Sequence, residues 1–135
     1  MLTVMIVDDD DISLGYLRRL LREYFRIRTA ECATEAIGGL ERQPIDVLVT
    51  DLNLGTDSGL ALLSQARIRF PKTRRMLTSG HELGDIELLH GAGLFERFFS
   101  KPLQALDLIE AICEPTALTC VRSRWVRPPG RAQLG

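Results

Sequence analysis

Short apolar runs alternate with amphipathic stretches along most of this chain. Buried strands are predicted at 3–7, 27–30, 45–50 and 94–100, and a fifth at 74–79, where only two residues are aliphatic or Met. Apolar residues recur every three or four positions in the segments that follow, which predicts helices at about 14–24, 33–41, 58–70, 82–90 and 103–113. Five strands alternating with five helices predict an α/β fold, a parallel sheet covered by helices on both faces.

Capping and turn residues indicate where these helices begin and end. Asp11 or Ser13 can cap the first helix, and the Thr34 region starts the second. Pro71 ends the third helix, one residue before the proline itself. We therefore expect compact connections between the strands and the helices.

Composition and charge divide the chain into a body and a tail. A hydrophobic content of 45% in 135 residues is enough for one domain with a core, which we assign to residues 1–114. All 18 acidic residues lie in that body, whereas residues 115–135 contain four arginines and Pro128-Pro129-Gly130. We interpret this basic tail as a flexible, solvated linker or chain end and expect no direct nucleic-acid binding.

Cysteine usage and the N-terminal residues bear on the cellular compartment. The three cysteines form no CxxC pair, which favours a reducing compartment over a disulfide framework. The N-terminus shows no signal peptide, that is, no basic segment followed by an apolar one, and the sequence has no apolar stretch of membrane-spanning length. We therefore expect a cytoplasmic protein without membrane attachment.

Acidic side chains follow two of the predicted strands. Asp8 to Asp11 follow the first strand, and Asp51 ends the third. Because parallel strands end at the same edge of a sheet, these carboxylates converge there and repel one another unless a cation lies among them. Taken alone, four aspartates before a helix are also explained by the helix dipole.

The order of residues at these strand ends resembles the receiver domain of two-component response regulators. The matching residues are Asp8 and Asp9, Asp51, Ser79 after the fourth strand, and Lys101-Pro102 after the fifth. The resemblance covers about residues 2–114. It implies a doubly wound (βα)5 fold with a five-stranded parallel sheet in the flavodoxin-like strand order 2-1-3-4-5.

The resemblance implies a role for each acidic residue and for Lys101. Asp51 would accept a phosphoryl group as an aspartyl phosphate, in a reaction that requires Mg²⁺. Asp9 and Asp51 would bind Mg²⁺ directly, the backbone carbonyl of Asn53 would add a ligand, and Asp8 would act through water. Lys101 would contact a phosphoryl oxygen, and the peptide bond before the next residue, a proline, is expected to be cis.

Further residues match positions that respond to phosphorylation in this family. Ser79 would hydrogen-bond the phosphoryl group, although the neighbouring Thr78 also carries a hydroxyl. Phe98 matches an aromatic switch position, for which core packing is the alternative explanation. Asn53 and His81 occupy positions that tune dephosphorylation, and a lone His on a loop is also explained by simple solvation.

Four residues in the loop after Asp51 and in the fourth strand can be compared with the family pattern, and three of them depart from it: Gly55, Arg74 and Arg75. Gly55 stands where many receivers have Pro, so we expect a looser loop after Asp51. Gly59 matches the glycine of that loop in the family. Arg74 and Arg75 replace an aliphatic start of the fourth strand.

The expected function is a phosphorylation-switched signalling domain rather than an enzyme with turnover. The phosphoryl donor would be a sensor histidine kinase or a phosphotransfer protein. The fourth predicted helix, fifth strand and last helix would form the face that contacts a downstream protein or a second copy in a homodimer. The 21 residues after Glu114 are too few for an output domain, which leaves a stand-alone receiver or part of a longer regulator.

Two other functions were considered. The first is a receiver-fold interaction module that works without phosphate. The second is a hydrolase that uses Asp51 as its nucleophile, which would want a carboxylate where Asn53 stands. The retained acidic pair argues against the interaction module.

Overall fold

The structure is a computed structural model that describes residues 1–80, 92–113, 119–121 and 124–126. Five strands form the main sheet: β1 (Thr3–Val7), β2 (Arg26–Ala30), β3 (Val47–Asp51), β6 (Arg74–Ser79) and β7 (Arg97–Ser100). Two pairs of short antiparallel strands lie outside it: β4 (Asn53–Leu54) with β5 (Asp57–Ser58), and β8 (Thr119–Val121) with β9 (Arg124–Val126).

The helices in the described part of the chain follow strands of the main sheet, as predicted. They are α1 (Asp11–Leu21), α2 (Ala33–Arg42), α3 (Gly59–Arg69) and α4 (Ala105–Cys113). Helix α3 ends at Arg69, and its C-cap Phe70, the residue before Pro71, is not helical, as expected from the restriction that proline places on its predecessor. The helix predicted at 82–90 lies outside the described residues.

The main sheet is parallel throughout and has the order β2-β1-β3-β6-β7. This is the predicted flavodoxin-like order, with β6 and β7 as the fourth and fifth strands of the sheet. Val7 pairs with Thr50, and Asp51 pairs with Thr78. The strands therefore end together, and the residues that follow them meet at one edge.

A hydrophobic core lies on each face of the sheet. Side chains of α2 and α3 pack on one face, where Leu48 is fully buried, and side chains of α1 and α4 pack on the other, where Val47 and Val49 are buried. The central strand β3 is buried along its whole length. Burial on both faces explains why β3 reads as a continuous apolar run instead of an alternating one.

The first helix is capped by a residue that the sequence analysis did not choose. The Asp10 side chain accepts hydrogen bonds from Ile12 N at 3.1 Å and from the Ser13 hydroxyl at 2.9 Å. These bonds, the Ser13 hydroxyl first, lower the pKa of Asp10. The prediction of Asp11 or Ser13 as the cap was wrong because Asp11 is already helical and Ser13 donates to the true cap.

Some elements begin later than predicted. Strand β3 begins at Val47 instead of Ile45. Strand β7 begins at Arg97 instead of Leu94, because the Arg75 guanidinium donates to the carbonyls of Gly93 and Leu94 at 3.1 and 2.9 Å. These two carbonyls are therefore bonded to a side chain and not to a neighbouring strand. Helix α4 begins at Ala105 instead of Leu103. In its first backbone hydrogen bond, Leu108 N–H donates to the carbonyl of Gln104.

The C-terminal segment contributes the two paired strands β8 and β9, and its other residues lie outside the described ranges. The division into a domain at 1–114 and a tail at 115–135 stays a prediction. No helix among the described residues is both long and apolar enough to cross a membrane.

Candidate functional site

Three carboxylates meet at the carboxyl edge of the sheet. Asp51 is the last residue of β3 and is 8% exposed, and Asp8 directly follows β1 and is 5% exposed. Asp9 is exposed at the surface. One carboxylate oxygen from each residue lies within 4.8 Å of the others. The convergence expected from the strand ends is therefore present in the structure.

Lys101 enters this cluster from the end of β7. Its Nζ atom donates to Asp51 Oδ2 at 2.8 Å and to Asp8 Oδ2 at 2.9 Å. Its backbone N–H donates to the carbonyl of Ser79 at 2.9 Å, which joins the end of β7 to the end of β6. The Lys101-Pro102 peptide bond is cis, as expected.

Lys101 compensates part of the negative charge of this cluster. Partial burial alone would lower the pKa of Lys101, but its hydrogen bonds to Asp51 and Asp8 outweigh that effect and raise it. The ammonium group is therefore charged at neutral pH. One cation faces three carboxylates, which leaves the site with a net negative charge.

The donor set suits a hard divalent cation. Carboxylate oxygens are the ligands that Mg²⁺ prefers, and an exposed Asp9 beside two buried aspartates leaves one side of the cluster open to water. A second cation would also neutralise the negative charge that Lys101 leaves uncompensated. The residues present therefore fit Mg²⁺.

The loop after Asp51 is an ordered hairpin rather than a loose connection. Strands β4 and β5 pair around Gly55 and Thr56, and Gly55 has a φ of 71°, a conformation that favours glycine. Asn53 N–H faces Asp51 Oδ1 at 3.4 Å, while the Asn53 side chain is exposed. The glycine that departs from the family pattern is therefore what allows this turn.

Gly59 lies directly against the backbone of Asp51. A Cβ atom at this position would lie 2.0 Å from the carbonyl oxygen of Asp51. Gly59 N–H also donates to the carbonyl of Leu52 at 2.8 Å. The start of α3 therefore sets the position of the backbone at Asp51, and only glycine fits there.

This loop makes a contact with α2 that the sequence does not predict. Asp57 Oδ2 accepts from Ala33 N–H at 3.0 Å and so caps the helix from a distance of 24 residues. The residue at the N-cap position, Cys32, makes no capping bond with its own side chain. The lack of a capping side chain before Ala33 indicates that another residue caps the helix, but the sequence does not identify Asp57 as that residue.

The predicted switch residues lie in different surroundings. Ser79 ends β6 and is 1% exposed, and a Cβ added to the following Gly80 would meet nothing within 4 Å. Phe98 is 1% exposed and packs in the core beneath α2 and α3. His81 lies outside the described residues, so its role stays a prediction.

Arg74 and Arg75 bind backbone and acidic partners instead of packing as aliphatic residues do. Arg74 donates to both carboxylate oxygens of Glu96 at 2.9 and 3.0 Å, and to the carbonyls of Ala111 and Ile112 at 3.0 and 2.8 Å. These bonds satisfy carbonyls in the last turn of α4. The polar start of β6 therefore holds α4 to the sheet.

Curated proteins of known name have sequences similar to this chain. The hydrogenase transcriptional regulatory proteins HoxA of Bradyrhizobium diazoefficiens and Cupriavidus necator are 32% and 34% identical over 86% and 82% of this chain. The chain spans 24% and 23% of their lengths, about a quarter of these curated relatives.

Solved structures share the fold. A response regulator from Burkholderia pseudomallei, with a phosphorylated aspartic acid, calcium ion and citrate, has a TM-score of 0.76 at 23% identity, over 83% of this chain and 66% of that chain. A CheY-like receiver domain protein from Methanospirillum hungatei has a TM-score of 0.79 at 23% identity, over 85% and 93% of the two chains.

The sequence model of the response regulator receiver domain matches residues 4–113. The match includes each of the three carboxylates and Lys101. The chain therefore belongs to the family of response regulator receiver domains.

Proposed function

We propose that Asp51 accepts a phosphoryl group from the phosphohistidine of a sensor histidine kinase or a phosphotransfer protein. A carboxylate oxygen of Asp51 forms a bond to phosphorus as the bond from phosphorus to the donor's imidazole nitrogen breaks. The observation that carries the proposal is the buried Asp51 carboxylate, 2.8 Å from Lys101 Nζ and beside two further acids. The domain acts as a phosphoacceptor and not as an enzyme with turnover.

Asp8, Asp9 and Asp51 would hold Mg²⁺, together with the backbone carbonyl of Asn53. When bound, the ion supplies positive charge that neutralises the phosphoryl oxygens. The support for this assignment is the all-oxygen donor set and the spacing of the three carboxylates. Lys101 stays close to the site as a second, compact positive charge.

Lys101 and Ser79 would bind the product of the transfer. The Lys101 ammonium already contacts Asp51, so a small movement of its flexible side chain brings it to a phosphoryl oxygen. Ser79 lies at the same edge of the sheet, and the open space at Gly80 leaves room for the phosphoryl group. A hydrogen bond from the Ser79 hydroxyl to the phosphoryl group would then couple phosphorylation of Asp51 to the end of β6.

The output would follow from a shift in an existing equilibrium of the face that contains β7 and α4. Ser79 and Phe98 would couple the site to this face, and Asn53 and His81 would tune the lifetime of the phosphoryl group. The face would contact a downstream protein, an output domain or a second copy of the chain. The cytoplasmic location and the absence of direct nucleic-acid binding stay predictions.

The test is the intact mass of the purified protein after incubation with acetyl phosphate, with and without Mg²⁺. We expect the gain of one phosphoryl group that depends on Mg²⁺. Asp51→Asn should abolish this gain, whereas Asp107→Asn, a matched change in the first turn of α4, should leave it intact.

A negative result in the phosphorylation test would contradict the proposal. If the folded protein binds Mg²⁺ but gains no phosphoryl group, the proposal is wrong. That result would favour a receiver-fold interaction module that works without phosphate. A gain that persists in Asp51→Asn would instead place the acceptor on another residue.

A further inference from the structure

A cavity of about 480 Å³ lies beneath Lys101 on the face of the sheet that α1 and α4 cover. Its apolar lining comes from the sheet, from α1 and from the segment before α4: Ile6, Val49, Leu17 and Leu103. Pockets of this volume and lining are typical of sites for small molecules. Asp8 and Lys101 also line the cavity, so it adjoins the proposed phosphoacceptor site, although Asp51 itself is not among the lining residues.

Thr78 supplies a polar group in the wall of this cavity. The residue is 4% exposed and shares a face of β6 with Met76, which packs in the core beneath α1 and α4. A hydroxyl can both donate and accept a hydrogen bond, so Thr78 can bond a ligand in the cavity that it lines.

The rim of the cavity combines negative charge with an aromatic ring. Asp10 and Tyr16 both line it, and Tyr16 is 54% exposed. Lys101 also lines the cavity, but its ammonium is held by Asp8 and Asp51. A carboxylate beside an aromatic face attracts an ammonium or amidinium group, and the carboxylate repels an anion.

We propose that this cavity is a binding site for a small organic cation with an apolar body. The charged head lies between Asp10 and Tyr16, and the apolar body lies against Leu17, Val49 and Leu103. Thr78 supplies a hydrogen bond at the inner end. Binding does not require phosphorylation of Asp51. Because Lys101 lines the cavity and also contacts Asp51, the ligand and a phosphoryl group on Asp51 would affect each other's binding through Lys101.

The test is a titration of the full, ¹⁵N-labelled chain with benzamidine, followed by the amide resonances. We expect saturable shifts at residues that line the cavity, and no saturation with benzoate, which has a similar shape and the opposite charge. Thr78→Val, which keeps the shape and removes the hydroxyl, should weaken binding about threefold to tenfold. A melting curve of each variant verifies that it is folded.

A matched pair of variants tests the location. Leu103→Trp fills the cavity from its half-buried rim and should abolish the saturable shifts. Leu106→Trp, at a 69% exposed leucine of α4 that does not line the cavity, should leave them unchanged. Binding should also persist in Asp51→Asn, which separates this proposal from the phosphoacceptor.

Three results would overturn the proposal. The first is the absence of saturable shifts with benzamidine in the folded protein. The second is equal binding of benzoate, which would remove the argument from charge. The third is unchanged binding in Leu103→Trp, which would place the ligand elsewhere on the surface.

Discussion

The contact between Gly59 and the backbone of Asp51 leads to a prediction about Gly59→Ala. The added methyl group would lie 2.0 Å from the Asp51 carbonyl oxygen, 2.9 Å from its carbonyl carbon and 3.1 Å from Leu52 Cα. All three atoms belong to the backbone, so no side-chain rotation can relieve the clash. The start of α3 and the end of β3 must therefore move apart.

The size of the effect follows from these distances. To reach an ordinary contact of 3.4 Å from 2.0 Å, the carbonyl oxygen must retreat by 1.4 Å. Overpacking a core costs about 1–3 kcal/mol, and a clash with backbone belongs at the upper end of that range. We therefore expect Gly59→Ala to lower the free energy of unfolding by about 3 kcal/mol and the melting temperature by about 10 °C.

The same displacement should slow phosphorylation. A misplacement of about 1 Å in a reacting group can reduce a rate about 100-fold. We expect a loss of that order in the rate of Mg²⁺-dependent phosphorylation by acetyl phosphate, measured by intact mass at a temperature where the variant is folded.

Gly15→Ala is the control for the Gly59 variant. An added Cβ at Gly15 meets only the end of the Arg19 side chain, at 3.7 Å. Because alanine favours a helix over glycine, this variant should gain about 0.5–1 kcal/mol and phosphorylate normally. Urea unfolding measures both variants. Equal stability and equal phosphorylation rates of Gly59→Ala and the unmodified protein would refute the reasoning.

Three further predictions concern the arginine of β6, the lysine of the site and the buried aromatic residue of β7. Arg74→Met should lower the free energy of unfolding, measured in urea, by about 1.5–3 kcal/mol, because it removes four charge-assisted hydrogen bonds. Arg69→Met, at an exposed ion pair, should lower it by less than about 0.5 kcal/mol. Equal costs of the two substitutions would contradict this role of Arg74. Since the pKa of Lys101 is raised above 10.5, its contribution to stability is complete below that pH and is lost as the pH rises through the folded-state pKa. On going from neutral to alkaline pH, the stability difference between the unmodified protein and Lys101→Met should therefore shrink only above pH 10.5, and a difference that shrinks near neutral pH would disprove it. Phe98→Ala should cost about 3–5 kcal/mol in urea because the ring is buried in the core, and a cost below about 1 kcal/mol would show that the ring is not part of that packing.

Local sequence patterns located the five strands of the main sheet and the edge where the site lies, but not the two pairs of short strands outside that sheet. The apolar run that ends at Asp51 is buried on both faces, so its pattern shows a buried strand without knowledge of its neighbours. The ends of parallel strands share one edge, so the convergence of Asp8 and Asp51 followed from their positions in the chain. The order of these residues also indicated the family, which the match at residues 4–113 confirms.

The partners of polar side chains depended on the tertiary structure. Lys101 binds Asp8, 93 residues away, and Asp57 caps α2 across 24 residues. Arg75 binds the two carbonyls before β7 and so moves the start of that strand from Leu94 to Arg97. Hydrogen bonds of this kind are directional and short, so they are decided by positions that only the packed sheet brings together.

The sequence by itself therefore determined the five strands of the main sheet, the family and the identity of the acidic edge, because hydrophobic periodicity and chain order are local properties. The tertiary structure alone decided which carboxylates Lys101 neutralises and which backbone Gly59 approaches. It also decided that a cavity remains beneath Lys101. Each of these depends on distances between segments that are far apart in the chain, and packing on both faces of the sheet sets those distances.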